Sequence, residues 1–293
     1  MNSLRSKYKI AGLVVVTNPK DEGEVIENIN SYLNQIDILY VVDNSEKPVS
    51  RIVGSVDNPG KILHIFNNGN FGIGRALNLG ASKALENGFD FLLTMDEDSK
   101  ATPHMIEKML ECTKGKDQSK IGIIASHWKK KPSNRFNTCG EVLFTITSGS
   151  LLKLSAFEKV GPFMEELFID CIDFDYCLRL YLNGFKVIHN RSAILKHRPG
   201  NRTTHKIFFW NFTTANYSYL RRYYKARNRL YLFNKYRNSF GNIYRFKQVF
   251  GKKRILSESL KILLFEKDKL RKVKMTILGY LDYKRKRLGK LIE

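Results

Sequence analysis

Short apolar runs that alternate with helix-patterned stretches constrain this chain more than any other feature, because that alternation marks βαβ units wound around a parallel sheet. Strands are expected over residues 10–17, 38–44, 61–66, 89–95 and 121–126, with helices between them. The best-marked helix runs over 72–87, where Ala76, Leu77, Leu79, Ala81, Ala84 and Leu85 form one apolar face and Gly88 stands at the C-cap. A second spans 174–183 and again stops at a glycine, Gly184, and a further strand-like run covers 192–195. The fold class is therefore α/β, Rossmann-like, with a mostly parallel sheet flanked by helices.

Charge divides the chain. The net charge is +22, and residues 201–293 hold 25 Lys/Arg against 5 Asp/Glu, whereas 1–200 hold 25 against 23. Glycines thin out past about 202, and Leu256, Leu260, Leu263, Leu270, Val273, Ile277 and Leu281 recur at three-to-four-residue spacing among lysines and arginines. This places one domain at 1–205 and a basic, mainly helical region at 206–293. A basic excess so concentrated suits an anionic partner, phospholipid or nucleic acid, and the apolar stripe suits packing, membrane docking or a homodimer. Cys112, Cys139, Cys171 and Cys177 have neither C-x-x-C spacing nor the density of a disulfide scaffold, so reduced thiols in the cytosol are expected. The first residues lack the unbroken apolar core of a signal peptide, and no window reaches the roughly 20 apolar residues of a membrane span. Membrane contact is expected to be peripheral.

In open α/β sheets ligands bind beyond the carboxyl ends of the strands. There the chain places Asp43-Asn44-Ser45, then Asn67-Asn68-Gly69-Asn70-Phe71-Gly72-Ile73-Gly74, then Asp96-Glu97-Asp98. Each alone reads equally well as an ordinary polar turn. The Gly-Asn loop lacks the third glycine of a dinucleotide fingerprint, yet it brings backbone N–H groups and Arg75 to a helix N-terminus, a setting for a diphosphate. Arg75 also reads as a solvated helix residue. Like carboxylates at a sheet mouth call for a cation, Mg²⁺ or Mn²⁺ with hard oxygen ligands. The competing reading has them favour the N-terminus of a helix opening at Thr102-Pro103. A second cluster, Asp170-Cys171-Ile172-Asp173-Phe174-Asp175, precedes Arg179; one of its acids reads as an N-cap, another as a general base. His197 follows a strand-like run, where it is either a ligand or a satisfied histidine.

The order of these pieces resembles the family 2 glycosyltransferases of the GT-A fold, and more narrowly their bacterial rhamnosyltransferase-like branch. The matching motifs are Val41-Val42-Asp43-Asn44-Ser45, the loop from Asn68 through Arg75-Ala76-x-Asn78-x-Gly80, Leu93-Thr94-Met95-Asp96-Glu97-Asp98-Ser99, Thr147-Ser148-Gly149-Ser150, Phe168-Ile169-Asp170-x-x-Asp173-x-Asp175-x-x-x-Arg179, and His197-x-x-Gly200. They cover about residues 10–230. The resemblance implies that Asp43 holds the nucleobase or ribose, that Asn68, Asn70, Gly72, Arg75 and Asn78 lie along the nucleotide with Thr17, and that Gly149 lies under the donor sugar. It implies Asp96 at the ribose and metal, Asp98 and His197 at the metal, Asp173 as catalytic base, and Asp170 and Arg179 on the acceptor side. Two departures from the pattern are Glu97, where many of the branch have Gln, and Ile172-Asp173 in place of Glu-Asp.

The implied activity is inverting, metal-dependent sugar transfer from dTDP-L-rhamnose to a saccharide or lipid-linked saccharide of a bacterial surface polysaccharide. It implies a cytoplasmic enzyme held at the inner face of the membrane. A UDP-hexose or UDP-galactofuranose donor needs the same acids and the same loop. The non-enzymatic alternative is a basic nucleic-acid-binding protein, which requires neither Asp98 nor Asp173.

Overall fold

The computed structural model describes residues 4–128, 138–197, 203–207 and 210–291, so Gly200 of the last motif lies outside the described residues. The chain separates into two compact units, Met1–Met164 with Asp173–Arg198, and Glu165–Ile172 with Pro199–Glu293.

In the first unit the elements are β1 (Ile10–Val16), α1 (Glu22–Leu33), β2 (Ile38–Asp43), α2 (Ser50–Gly54), β3 (Ile62–Phe66), α3 (Ile73–Glu86), β4 (Phe91–Asp96) and β5 (Ser99–Ala101). There follow α4 (Met105–Glu111), β6 (Ile121–His127), β7 (Cys139–Glu141), β8 (Ser150–Lys153), α5 (Leu154–Val160), α6 (Ile172–Leu182) and β9 (Lys186–His197). Among the described residues the sheet order is β3-β2-β1-β4-β8-β6-β9-β5, with β7 paired to β9. The half built from β3, β2, β1 and β4 is parallel, as the apolar runs predict. Central β1 shows why: Ile10, Ala11, Leu13, Val14 and Val16 are all fully buried, so both faces of the strand are covered. Each Ile, Leu or Val among them contributes roughly 1.5–3 kcal/mol. Beyond β4 the sheet becomes mixed, because β8 runs antiparallel to both β4 and β6.

Two features position the ligand-binding edge. A Cβ on Gly80 would lie 2.7 Å from Leu13 Cδ1, so the glycine lets α3 press onto β1 and aims its N-terminus at the strand ends. The acids after β4 do not cap a helix. β5 intervenes, α4 starts only at Met105, and the reading that set Asp96 and Asp98 at a helix N-terminus near Thr102-Pro103 is overturned. The thiol expectation is also corrected: Cys112 and Cys139 form a disulfide, with Cα atoms 5.6 Å apart, that ties the end of α4 to β7. Their 27-residue separation left the pairing invisible in local sequence. Cys171 and Cys177 stand outside the disulfide and are buried, and burial pushes the Cys177 thiol up to about 12, which makes it inert at neutral pH.

The second unit contains a hairpin, β10 (Thr203–Ile207) with β11 (Trp210–Thr214), and the helices α7 (Tyr219–Phe240), α8 (Tyr244–Phe250), α9 (Lys252–Phe265) and α10 (Lys269–Lys284). Segment 165–172 joins it through buried hydrogen bonds. Arg227, 1% exposed, donates to the carbonyls of Leu167 at 3.2 Å and Glu166 at 3.3 Å, and the Asn228 amide donates to those of Leu167, Ile169 and Asp170. These donors match carbonyls exposed by left-handed backbone at Phe168 (φ 64°), Asp170 (64°) and Cys171 (71°). The apolar stripe is not interior: Leu256 is 74% exposed and Leu270 82%, with Leu260, Leu263, Leu264, Ile277 and Leu281 also exposed.

Glu258 of α9 accepts from Arg254 at 2.7 Å, Arg229 at 2.8 Å and Arg222 at 3.4 Å. Burial raises its carboxyl, but the charges of Arg229 and Lys225 outweigh burial and bring it down to about 2. A depressed carboxyl stabilises the fold above its unfolded value near 4.5, and that contribution disappears as pH falls through about 2. Glu258→Gln is thus expected to cost on the order of 3 kcal/mol at pH 7. Denaturant unfolding of both proteins at pH 7, 4 and 2.5 checks this; a gap that does not narrow with acid refutes it.

Candidate active site

Asp96 closes β4, and the turn through Glu97 and Asp98 leads into β5, whose Ser99 pairs in register with His197 at the end of β9. That pairing brings an imidazole to two carboxylates across about a hundred residues of chain. Ligand-capable atoms of Asp96, Asp98 and His197 all lie within 4.8 Å of one another. His197 Nδ1 is 3.2 Å from Asp98 Oδ1 and 2.9 Å from Ser99 Oγ. A hydroxyl relay holds the group: the Asp96 N–H donates to Ser148 Oγ at 3.0 Å, and Ser148 donates to Ser99 Oγ at 2.7 Å. Two carboxylates and an imidazole, with 45% of the Asp98 side chain exposed, fit a divalent cation that tolerates nitrogen and oxygen donors.

A cavity of about 210 Å³ opens here, lined by Thr17, Ile73, Leu77, Asp96, Glu97, Asp98 and Thr147 among others. Glu97 turns back to join strand ends, its Oε2 accepting the Thr17 N–H at 3.0 Å and its carbonyl accepting from Asn28 at 2.8 Å. Burial raises the Glu97 carboxyl; the Thr17 N–H lowers it, and the charges of Asp98 and Asp96 add to the rise. Tyr32 of α1 is fully buried, its hydroxyl has no hydrogen-bond partner, and burial with the Asp96 charge drives the phenol upward. Gly149 stands two residues beyond Thr147 of the cavity lining. Its N–H donates to the Thr94 carbonyl at 2.8 Å, its φ is +69°, and a Cβ there would collide with Ser126 Oγ and Leu195. Only glycine suits that backbone and that space.

Asp173, in the first turn of α6, lines a smaller recess with Phe163, Tyr176 and Cys177, and this recess shares Thr94 and Thr147 with the larger cavity. Asp170 belongs to the second unit. Its carboxylate meets Arg221 at 3.1 Å and Lys225 at 3.9 Å.

Several residues expected at the ligand are engaged by protein groups. Asp43 is wholly buried, and its carboxylate accepts from the N–H groups of Ser45 at 3.0 Å and Val49 at 2.8 Å and lies 3.1 Å from His64 Nε2. It organises the loop after β2 and takes no part in lining the cavity described above. Asn78 clamps the backbone of Phe163, donating to its carbonyl at 3.0 Å and accepting its N–H at 2.7 Å. Arg179 donates to Asp175 at 2.8 Å and to the Val160 carbonyl at 3.3 Å, which makes it a brace of α6. Asp43, Asn78 and Arg179 thus each carry contacts that hold the local structure. In the Gly-Asn loop, Asn68 is left-handed at φ 52° and exposed, Asn70 Oδ1 accepts the Gly72 N–H at 2.9 Å, and exposed Arg75 stacks 4.6 Å from the Phe71 ring centroid. Sequence reasoning missed the Ser99–Ser148 relay and Tyr32. The only signal for the relay was that both serines stand inside quoted motifs.

A parallel half-sheet with acids at one strand end and a Gly-Asn loop at another defines an α/β protein that binds its ligand beyond the carboxyl ends of its strands. Residues 13–161 match the family described as Glycosyl transferase family 2, and the chain belongs to that family of glycosyltransferases. It is 29% identical over 246 residues to the dTDP-rhamnosyl transferase RfbF of Shigella flexneri, covering 77% of this chain and 80% of that protein. Among solved structures it resembles S. aureus TarS, with a TM-score of 0.57 at 17% identity over 94% of this chain and 49% of that one, so it spans about half of that protein. The TarS 1–349 fragment in complex with UDP-GlcNAc gives 0.58 at 16% identity, over 95% of this chain and 81% of the fragment. These likenesses show the GT-A fold.

Proposed function

We propose that this glycosyltransferase transfers L-rhamnose from dTDP-L-rhamnose, with inversion, to a saccharide or lipid-linked saccharide of a bacterial surface polysaccharide. The observation that carries the reading is the cluster of Asp96, Asp98 and His197 at the mouth of a cavity between strand ends. The rhamnosyl donor is supported by the similarity to RfbF.

Asp98, Asp96 and His197 would hold Mg²⁺ or Mn²⁺, which offsets negative charge on the departing diphosphate. Thr17, Asp43, Asn68, Asn70, Gly72, Arg75 and Asn78 would lie along the nucleotide, with the Gly72 N–H held by Asn70 and the Thr17 N–H by Glu97. Gly149 lies in the loop under the donor sugar. The Asp173 carboxylate takes the proton of the acceptor hydroxyl as its oxygen bonds to the anomeric carbon. The bond from that carbon to the phosphate oxygen breaks on the opposite face, and its electron pair leaves with the nucleoside diphosphate. Asp170 is the less suited base, because Arg221 and Lys225 already neutralise it.

Calorimetry against dTDP and UDP, with Mg²⁺ or Mn²⁺ and then with EDTA, tests the donor. Metal-dependent binding of dTDP at least tenfold tighter than UDP is expected; preference for UDP would replace rhamnose by a UDP-linked hexose or galactofuranose. No helix among the described residues is long and apolar enough to cross a membrane. We assign the C-terminal unit to peripheral docking on an anionic membrane, supported by the exposed leucines of α9 and α10 among lysines. Co-sedimentation with phosphatidylglycerol vesicles that survives Leu256→Ser with Leu260→Ser would remove that assignment.

A further inference from the structure

The C-terminal unit contains a second cavity, of about 250 Å³, in which Arg222, Lys225, Arg229, Arg254 and Lys261 face two carboxylates, Glu258 and Glu266, among the described lining residues. Three guanidiniums converge on Glu258 alone, and Glu266 is shared by Arg222 at 2.6 Å and Lys272 at 3.0 Å. The two carboxylates are saturated, and even with Asp170 3.9 Å from Lys225 the five cations of the lining outnumber these acids. Arg222 is 6% exposed, yet its Nε–H has no acceptor, an unsatisfied buried donor in a charged group. Natural structures rarely leave such a donor unmatched. The Tyr217 ring stacks against Arg222 at 5.3 Å and Lys225 at 4.7 Å, which holds both cations in place.

We propose that this pocket is a binding site for a phosphate-class anion, a phosphomonoester or diphosphate group. An acceptor-only group with several oxygens matches donors that outnumber their carboxylate partners. The volume falls below the range usual for drug-sized ligands, so the site takes an anionic head group and excludes a whole sugar nucleotide. It is independent of the Asp96–Asp98–His197 cluster and of the transfer reaction proposed above.

The probe is inorganic pyrophosphate, titrated calorimetrically into the full chain in EDTA, which removes metal-dependent binding at the other site. Saturable binding is expected, weakened at least tenfold by Arg254→Gln with Lys261→Gln and unchanged by Asp98→Asn. The double variant alters two surface-accessible ends of the pocket, and its circular dichroism and melting temperature are checked against the parent. Phosphatidylcholine vesicles with and without phosphatidic acid separate the sources. Retention on phosphatidic acid that pyrophosphate reverses identifies a lipid head group, and pyrophosphate binding without vesicle retention identifies a soluble phosphate ester. No saturable pyrophosphate binding, or equal affinity in the double variant, overturns the site.

Discussion

Replacing Asp173 by Asn is expected to lower kcat by about 10²–10⁴-fold while donor affinity stays within about twofold. The change keeps the shape of the side chain and removes only its ability to accept a proton. Asp173 lines a recess that shares Thr94 and Thr147 with the larger cavity, and there we propose that it meets the acceptor hydroxyl. Asp170→Asn gives the contrast. Its carboxylate is held by Arg221 and Lys225, and its loss should alter stability more than turnover. Single-turnover transfer, paired with calorimetry of the donor, separates the two. Should Asp170→Asn abolish transfer while Asp173→Asn does not, the base assignment passes to Asp170.

The second large effect is expected from Asp98→Asn: donor affinity in Mg²⁺ or Mn²⁺ falls about 100-fold and no longer responds to EDTA. The fold is expected to survive unchanged or slightly stabilised. Asp98 is 45% exposed, and the substitution relieves its repulsion with Asp96 and Glu97. A variant that binds dTDP as tightly as the parent, still with a metal requirement, would remove Asp98 from the cation site. A variant that unfolds would show the residue to be structural.

Much of the parallel half-sheet was legible because its information is local. An apolar run that ends at Asp43 or Asp96 announces both a strand and its exit, and Gly88 marks where α3 must stop. What was hidden depends on residues far apart in sequence. β8 inserts antiparallel between β4 and β6, the Cys112–Cys139 bridge spans a different pair of elements, and segment 165–172 joins the C-terminal unit through Arg227 and Asn228. The candidate site divides the same way. The acids of Asp96 and Asp98 were visible as a motif, but that Asp43, Asn78 and Arg179 meet protein partners follows only from who stands beside them.

The register of β5 against β9 carries a thermodynamic consequence. Asp96 and Asp98 come from the middle of the first unit's sequence and His197 from its far end, joined by the Ser99–His197 pairing. A partly folded chain in which β9 has not docked therefore lacks the complete trio. A cation bound by all three ligands selects the finished sheet over every such intermediate, by RT ln(1 + [L]/Kd). Loading the metal would then proofread assembly: chains misregistered at this edge would present two carboxylates without the imidazole and compete poorly for the ion.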